Sequence, residues 1–492
     1  MLDACAIVAV MAAFSFFWHD YETFGVVPRR DRPVQFAGLR TDAALNPVAE
    51  PVMWFCRPAP DTLPDPESVL VTGILPQQAL QQGLPECEFA ARIEAELGRD
   101  GTVGVGYNSI RFDDEVTRFL FWRNLVDPYA REWQNGCGRW DLMDVVRCTW
   151  ALRPEGIEWP TYADGPMQGR PSFRLEHLTA ANGLAHEAAH DALSDVHATL
   201  ALARLVRTRQ PRLWDFCLKL RSKDAVLAEI GSGRPFVHLS GRYPVERGCL
   251  AIVWPLAAHP TNRNEMIVWD LGQDPRELMR LDAEAVRRRL YTRQDELPAG
   301  EQRLPIKTIH INRSPIVIGN LKTLVQGGAA QRWGLDVDAA MANAAHAAAL
   351  GRGLDDLWPQ VFRRPADATA PDVDEDLYGG FVPNEDRRTL QRLRELNPER
   401  LAASRPAFHD GRLEELVFRY RARNFPATLD EAEQARWHRH RVDRLHGGAG
   451  GALTLAAFFE RIDALAESAD ERGQSILAAL YDYAEGIAPE AD

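Results

Sequence analysis

The alternation of apolar and polar positions divides the chain into three stretches of different character. Over 14–210, short apolar runs that read as strands (Ala13–His19, Val34–Thr41, Val52–Cys56, Val103–Tyr107) alternate with segments of helical period (Glu86–Leu97, Asp113–Leu125, Trp140–Ala151, Ala192–Thr208). Gln210-Pro211 ends the last of these. Such a pattern predicts an α/β domain, a sheet flanked by helices. Over 211–365 the runs become short and β-rich: Phe236–Leu239, Cys249–Trp254, Glu265–Asp270 and Ile306–Ile311, broken by proline, glycine and asparagine. They predict a small antiparallel barrel with helical excursions, among them the alanine-rich Ala339–Leu350. Asp367–Asp376, acidic and carrying Pro371, reads as a linker. Beyond it the period is helical over Glu385–Leu396, Arg412–Arg421, Leu429–Leu445, Leu453–Ser468 and Arg472–Glu485, which predicts a helical third domain over 369–492.

The first predicted strand ends in two acids one residue apart, Asp20 and Glu22. Strand side chains alternate between faces, so these carboxylates emerge side by side, and like charges that close repel unless a cation separates them. Alone, the pair is better explained by a solvated strand end. Three further groups change that. Asp113 opens a helix after the strand at Val103–Tyr107, although Asp114 and Glu115 beside it are what any helix start favours. Asp195 lies inside an apolar-periodic helix, where an unpaired carboxylate is costly. His190 sits at the start of that helix. Asp20, Glu22, Asp113 and Asp195 form an all-oxygen set that suits Mg²⁺ or Mn²⁺ rather than zinc. Two such ions about 3.5–4 Å apart clamp the attacking and leaving oxygens in phosphodiester hydrolysis. His190, titrating near neutral pH, can take the proton of the attacking water.

These acids lie in the segments His19-Asp20-Tyr21-Glu22-Thr23-Phe24-Gly25, Arg111-Phe112-Asp113-Asp114-Glu115 and Ala189-His190-Asp191-Ala192. Together with Pro171-Ser172-Phe173-Arg174-Leu175 and Tyr420-Arg421-Ala422-Arg423-Asn424-Phe425-Pro426, they resemble the DEDDh exonucleases of the proofreading-exonuclease superfamily, and within it the bacterial exonuclease I family. The resemblance runs from about residue 14 to the end of the chain. It implies an RNase H-like exonuclease domain over 14–210, an SH3-like domain over 211–365 and an α-helical C-terminal domain over 369–492. It also implies two Mg²⁺ ions, with Mn²⁺ able to substitute, held by Asp20, Glu22, Asp113 and Asp195, and His190 as general base. Glu22 and Arg174 would meet the terminal nucleotide, while Arg118, Tyr129, Trp133, Arg147, Arg153 and Phe173 would line the path of the strand. The implied activity is processive 3′-to-5′ degradation of single-stranded DNA to 5′-mononucleotides, in DNA repair and recombination. The implied protein partner is the C-terminal peptide of single-stranded-DNA-binding protein, docked on basic surface of the second and third domains. The sequence departs from the family around Met167–Arg170 and over 325–372.

Composition adds limits. At 492 residues the chain exceeds a single core. A net charge of −13 suits a nucleic-acid partner poorly unless basic groups are gathered locally. Arginines do cluster, at Arg207–Arg212, Arg387–Arg394 and Arg419–Arg423. The second cluster reads as a solvated helix face. The third, interleaved with Phe418, Tyr420 and Phe425, reads either as such a face or as a strand-binding stripe. Seven irregularly spaced cysteines suggest neither a zinc site nor a disulfide framework, and fit a reducing cytoplasm; a monomer is expected. The apolar run Ala4–Phe17 lacks a basic flank and is too short for a membrane span; Met11 is a more natural initiator than Met1. Two rival readings remain: an exoribonuclease using the same acids, separated only by how it treats the 2′-hydroxyl, and a non-catalytic nucleic-acid binder on an inactive nuclease domain. The latter is disfavoured because no acid of the set is lost.

Overall fold

The computed structural model describes residues 14–186, 191–363 and 371–490. The chain forms two compact units, one of 1–138, 186–200 and 369–492, the other of 139–185 and 201–368.

In the first unit, β1 (Ser15–Thr23), β2 (Pro33–Thr41), β3 (Val52–Phe55) and β4 (Thr102–Gly106) take the order β3-β2-β1-β4; the chain passes to the second unit within β5 (Gly138–Asp141). β1 pairs antiparallel with β2 and parallel with β4, and β2 pairs antiparallel with β3. The sheet of the predicted α/β domain is thus mixed, made by one parallel crossover carrying the helix Glu86–Leu97. Alternation along β1 decides what each face does. Phe17 and Tyr21 point into a core with Phe36, Phe89, Ile93, Val116 and Leu120, where each buried aromatic contributes about 1.5–3 kcal/mol. Asp20 and Glu22, on the even positions, are thereby committed to the opposite face.

The C-terminal helices build their cores against this sheet and its flanking helices. Leu445, Phe458, Leu477 and Leu480 pack with Phe24, Val34 and Val69, while Leu390, Leu413 and Leu416 pack with Phe119 and Trp122. Two sequence expectations are corrected here. The described part of the acidic segment, 371–376, is not a solvated linker: Asp374 and Glu375 are buried, and Asp372 pairs with Arg419 at 2.7 Å. The Arg419–Arg423 cluster is neither a solvated face nor a strand-binding stripe. Arg423 is sunk between Asp61 (2.7 Å) and Asp374, and Arg421 pairs with Glu433. Buried guanidinium groups need anionic partners, and the acids of 371–376 supply several of them.

In the second unit, β6 (Phe236–Leu239), β7 (Leu250–Ala258), β8 (Glu265–Asp270), β9 (Ile306–His310) and β10 (Ile316–Ile318) form an antiparallel sheet of order β10-β6-β7-β8-β9. β7 bulges between Pro255 and Ala257, where proline cannot donate to the ladder. The helices Leu142–Leu152 and Pro211–Lys219 belong to the same unit, and Trp140 meets Trp214 edge to face at 4.8 Å. Among the described residues no helix is long and apolar enough to cross a membrane, and the six cysteines are free.

Candidate active site

The site is built where β1 ends. In the antiparallel register Asp20 lies opposite Ala37 and Glu22 opposite Gln35, and residues so paired share a face. Ala37 presents only a methyl group beside Asp20, which leaves room above the strand. Asp113 arrives from the helix Asp113–Arg123, entered after β4 through Asn108 in the left-handed region (φ 64°). Its Oδ1 accepts a hydrogen bond from the Tyr21 backbone N–H at 3.2 Å, and the Tyr21 hydroxyl lies 2.9 Å from Thr117 Oγ1 one turn on. The helix is thus tied to the strand between the two acids of β1. Asp195 comes from the first turn of the helix Ala192–Arg209.

One carboxylate oxygen from each of Asp20, Glu22 and Asp195 lies within 4.8 Å of the others, with Glu22 buried and the other two half-buried. The electrostatics match that crowding. Burial, then the charges of Asp113, Glu22, Asp195 and Asp191, hold the Asp20 carboxyl well above the usual carboxylate range. Burial, then Asp195 and Asp191, push Glu22 up to about 8. Acids so placed share protons or a cation, and convergent oxygens with no nitrogen or sulfur among them fit a divalent cation of the Mg²⁺ or Mn²⁺ kind. His19, on the other face of β1, is kept neutral: burial and then Arg131 lower its pKa to about 4, and it stacks on Phe36 at 5.9 Å.

Of the four acids singled out by sequence, three therefore converge. The fourth, Asp113, adjoins them through Tyr21 and bears on Asp20 by charge. His190 lies outside the described residues. Three participants escaped the sequence reading. His186 Nε2 sits 2.5 Å from Asp195 Oδ1. Asp191 accepts from the Ser194 N–H at 3.0 Å, and Gln35 reaches the start of the same helix. Asp191 carried a usable signal, since an aspartate immediately before the first helical residue is a helix-capping pattern. Nothing in the sequence ties Gln35 to a helix more than 150 residues away.

The residues expected along the strand path divide between the units. In the first, Arg118 is buried and bonded to Glu115 and Glu132, each at 2.7 Å, with its guanidinium 5.3 Å over the Tyr129 ring; Trp133 is 66% exposed. In the second, Arg147 lies 2.9 Å from Asp144 and 5.8 Å over Phe173, which packs on Trp150. Arg153 bonds Leu152 O and Thr323, and Arg174 is exposed beside Glu176 at 3.1 Å.

Comparison with known proteins divides the chain into three consecutive parts. An exonuclease family model matches residues 17–203, the exonuclease I SH3-like domain matches 221–364, and the exonuclease I C-terminal domain matches 371–487. The chain is 44% identical to exodeoxyribonuclease I of Escherichia coli (strain K12), over 96% of this chain and 98% of that protein, and 43% identical to exodeoxyribonuclease I of Haemophilus influenzae over the same shares. Among solved structures it is similar to the moderately thermophilic exonuclease I of Methylocaldum szegediense (TM-score 0.90, 47% identity, 96% of this chain and 99% of that one). It is similar also to E. coli exonuclease I in complex with a dA16 oligonucleotide (TM-score 0.90, 43% identity, 96% and 100%). Matched almost end to end by these relatives, and by all three family models in order, the chain belongs to the exodeoxyribonuclease I family and is an exonuclease.

Proposed function

We propose that the protein is a metal-dependent 3′-to-5′ exonuclease that degrades single-stranded DNA processively to 5′-mononucleotides, with a role in DNA repair and recombination. The observation that carries this reading is the convergence of Asp20, Glu22 and Asp195 within 4.8 Å in a chain of this family. Solved relatives in complex with DNA oligonucleotides support the choice of substrate.

In this reading the exonuclease domain spans 14–210, the SH3-like domain 211–365 and the helical domain 369–492. Asp20, Glu22, Asp113 and Asp195 hold two Mg²⁺ ions, for which Mn²⁺ can substitute. When bound, the ions neutralise the phosphate and stabilise the attacking and leaving oxygens. The chain's own groups do the rest. Arg174 meets the terminal nucleotide together with Glu22. Arg118, Tyr129, Trp133, Arg147, Arg153 and Phe173 set the path of the strand. His190 takes a proton from the water that attacks the terminal phosphodiester. The bond to the 3′-oxygen of the penultimate residue then breaks, releasing a 5′-mononucleotide and a strand ending in a 3′-hydroxyl. Without a cation the four acids would repel the phosphate they are meant to receive, which is why removal of metal is the sharpest test of this reading. The C-terminal peptide of single-stranded-DNA-binding protein is the proposed protein partner, an acidic ligand for basic surface of the second and third domains. A cytoplasmic monomer with reduced cysteines completes the proposal.

The test is a time course on 3′-labelled and 5′-labelled single-stranded DNA and RNA, with Mg²⁺ and with chelator. Immediate release of the 3′ label as mononucleotide from DNA, gradual shortening of 5′-labelled strands and silence in chelator are expected. Equal turnover of RNA would move the assignment to an exoribonuclease, and undiminished activity in chelator would remove the acids from the chemistry.

A further inference from the structure

Gln35 is a buried amide placed among acids. It sits in β2 directly opposite Glu22, on the same face, and is 2% exposed. Its side chain leaves the sheet and meets the start of the helix Ala192–Arg209, where its Oε1 accepts the Ala192 backbone N–H at 3.2 Å. That bond fixes the orientation of the amide: the oxygen must face the N–H, so Nε2 faces the Asp191 carboxylate, at 3.5 Å from Oδ2. The other oxygen of Asp191 accepts the Ser194 N–H at 3.0 Å. Gln35 and Asp191 therefore satisfy two of the free N–H groups at the first turn of the helix that delivers Asp195.

The same arrangement accounts for a selection among the acids. Asp191 lies close enough to raise both Asp20 and Glu22 by its charge, yet its oxygens are not among those that converge with them. One is taken by the helix and the other faces the Gln35 amide. A helix start that slipped by 1 Å would carry Asp195 with it, and misplacement on that scale costs about 10²-fold in rate. We infer that Gln35 is a positioning residue for this active site: by bonding Ala192 and Asp191 it locks the Asp195 helix to the strand pair bearing Glu22, and holds Asp191 as a helix cap outside the cation-binding set. The inference rests on the reading of Asp20, Glu22 and Asp195 as cation ligands.

The experiment uses the full-length protein with Gln35→Leu, Asp191→Asn and the double variant. Mn²⁺ binding is titrated on metal-free protein without DNA, alongside steady-state hydrolysis of single-stranded DNA and thermal unfolding. Gln35→Leu is expected to lower kcat about 10- to 100-fold with KM for DNA within about threefold of wild type, and to weaken Mn²⁺ binding about tenfold. Asp191→Asn keeps the acceptor for Ser194 but loses the one for Gln35, so a smaller loss in the same direction is expected. Because the two side chains act as a unit, the double variant should fall no further than Gln35→Leu alone. Wild-type Mn²⁺ affinity and kcat in Gln35→Leu, or losses that add in the double variant, overturn the inference. An Asp191→Asn variant as inactive as Asp20→Ala would make Asp191 a ligand and overturn it too. If Gln35→Leu does not fold, Asp191→Asn and Gln35→Asn carry the same measurements. Failure of the wild type itself to bind Mn²⁺ would instead sink the proposed metal chemistry, so the two failures are distinct.

Discussion

Glu22 contributes to how the metal-free protein responds to pH. Its carboxyl is pushed up to about 8 by burial and then by Asp195 and Asp191, whereas in the unfolded chain it titrates near the ordinary value of about 4.3. Between those values the folded state holds a proton that the unfolded state has released. Stability contributed by this group is therefore complete at low pH and is lost as pH climbs from about 4.3 through about 8. Asp20, raised for the same reasons, acts in the same direction. A divalent cation takes the place of those protons, so binding strengthens as pH rises. In chelator, the wild type should lose Tm relative to Glu22→Gln between pH 5 and 8.5, and added Mg²⁺ should raise the wild-type Tm more at pH 8 than at pH 5.5. A difference that ran the other way would place the proton elsewhere. Asp20→Ala, by contrast, should remove hydrolysis and leave DNA binding measurable by anisotropy, since in the proposed function it takes away a metal ligand and not a contact to the strand. Turnover at the wild-type rate in that variant would exclude Asp20 from the site.

At the scale of elements, the helix Arg412–Asn424 is held by charge as much as by apolar packing. Arg423 lies between Asp61 and Asp374, and Arg419 reaches Asp372 and Glu415. Arg423→Ala would remove the cation that Asp61 and Asp374 share, leaving Asp61 to His440 at 3.2 Å and Asp374 to Arg32 at 3.3 Å and Arg419 at 3.4 Å, so the cost falls at the lower end of the range for a broken buried pair, about 3 kcal/mol. Denaturant unfolding should show that loss while DNA affinity stays within about twofold, because this guanidinium does not reach solvent. Exposed Arg388→Ala should cost less than about 0.5 kcal/mol. This cluster also marks where sequence reading stops. Its spacing reads as either a solvated face or a strand-binding stripe because its partners lie as far as 362 residues away in Asp61. Local signals did succeed where local physics decides. Glu86–Leu97, Phe236–Leu239 and Glu265–Asp270 are read from periodicity with both ends in place. β5 was absorbed into the helix that follows it, although Asp141 accepts from the Met143 N–H as a helix-capping residue and marks the true boundary. β10, the three residues that directly follow Pro315, is too short to show a period. Asp195 stood out as an acid in an apolar helix, but its neighbours Gln35 and His186 are set by tertiary contacts that no local pattern announces.

For the whole molecule, the tension lies between a net charge of −13 and a polyanionic substrate. Internal pairing deepens it. Arg118, Arg419 and Arg423 are each bonded to at least two acids and offer little free positive charge. Of the residues proposed to meet the terminal nucleotide or line the strand path, Arg147, Arg153 and Arg174 are the remaining cations, and Trp133 is the most exposed ring, at 66%. Affinity should therefore divide into a small electrostatic part and a stacking part. For single strands each neutralised phosphate contributes about −0.7 to the slope of log affinity against log salt, so three contacts give a slope of about −2. Stacking on one aromatic contributes about 1–3 kcal/mol and is nearly blind to salt. Anisotropy with a labelled oligonucleotide in chelator, from 50 to 400 mM salt, separates the two parts. Arg174→Ala should flatten the slope by about 0.7, whereas Trp133→Ala should lower affinity by a similar factor at every salt concentration and leave the slope alone. A flat wild-type response would mean that these arginines do not meet phosphates. A slope steeper than about −5 would require cations beyond these three, and the exposed Arg387–Arg392 face would then be the first place to look for them.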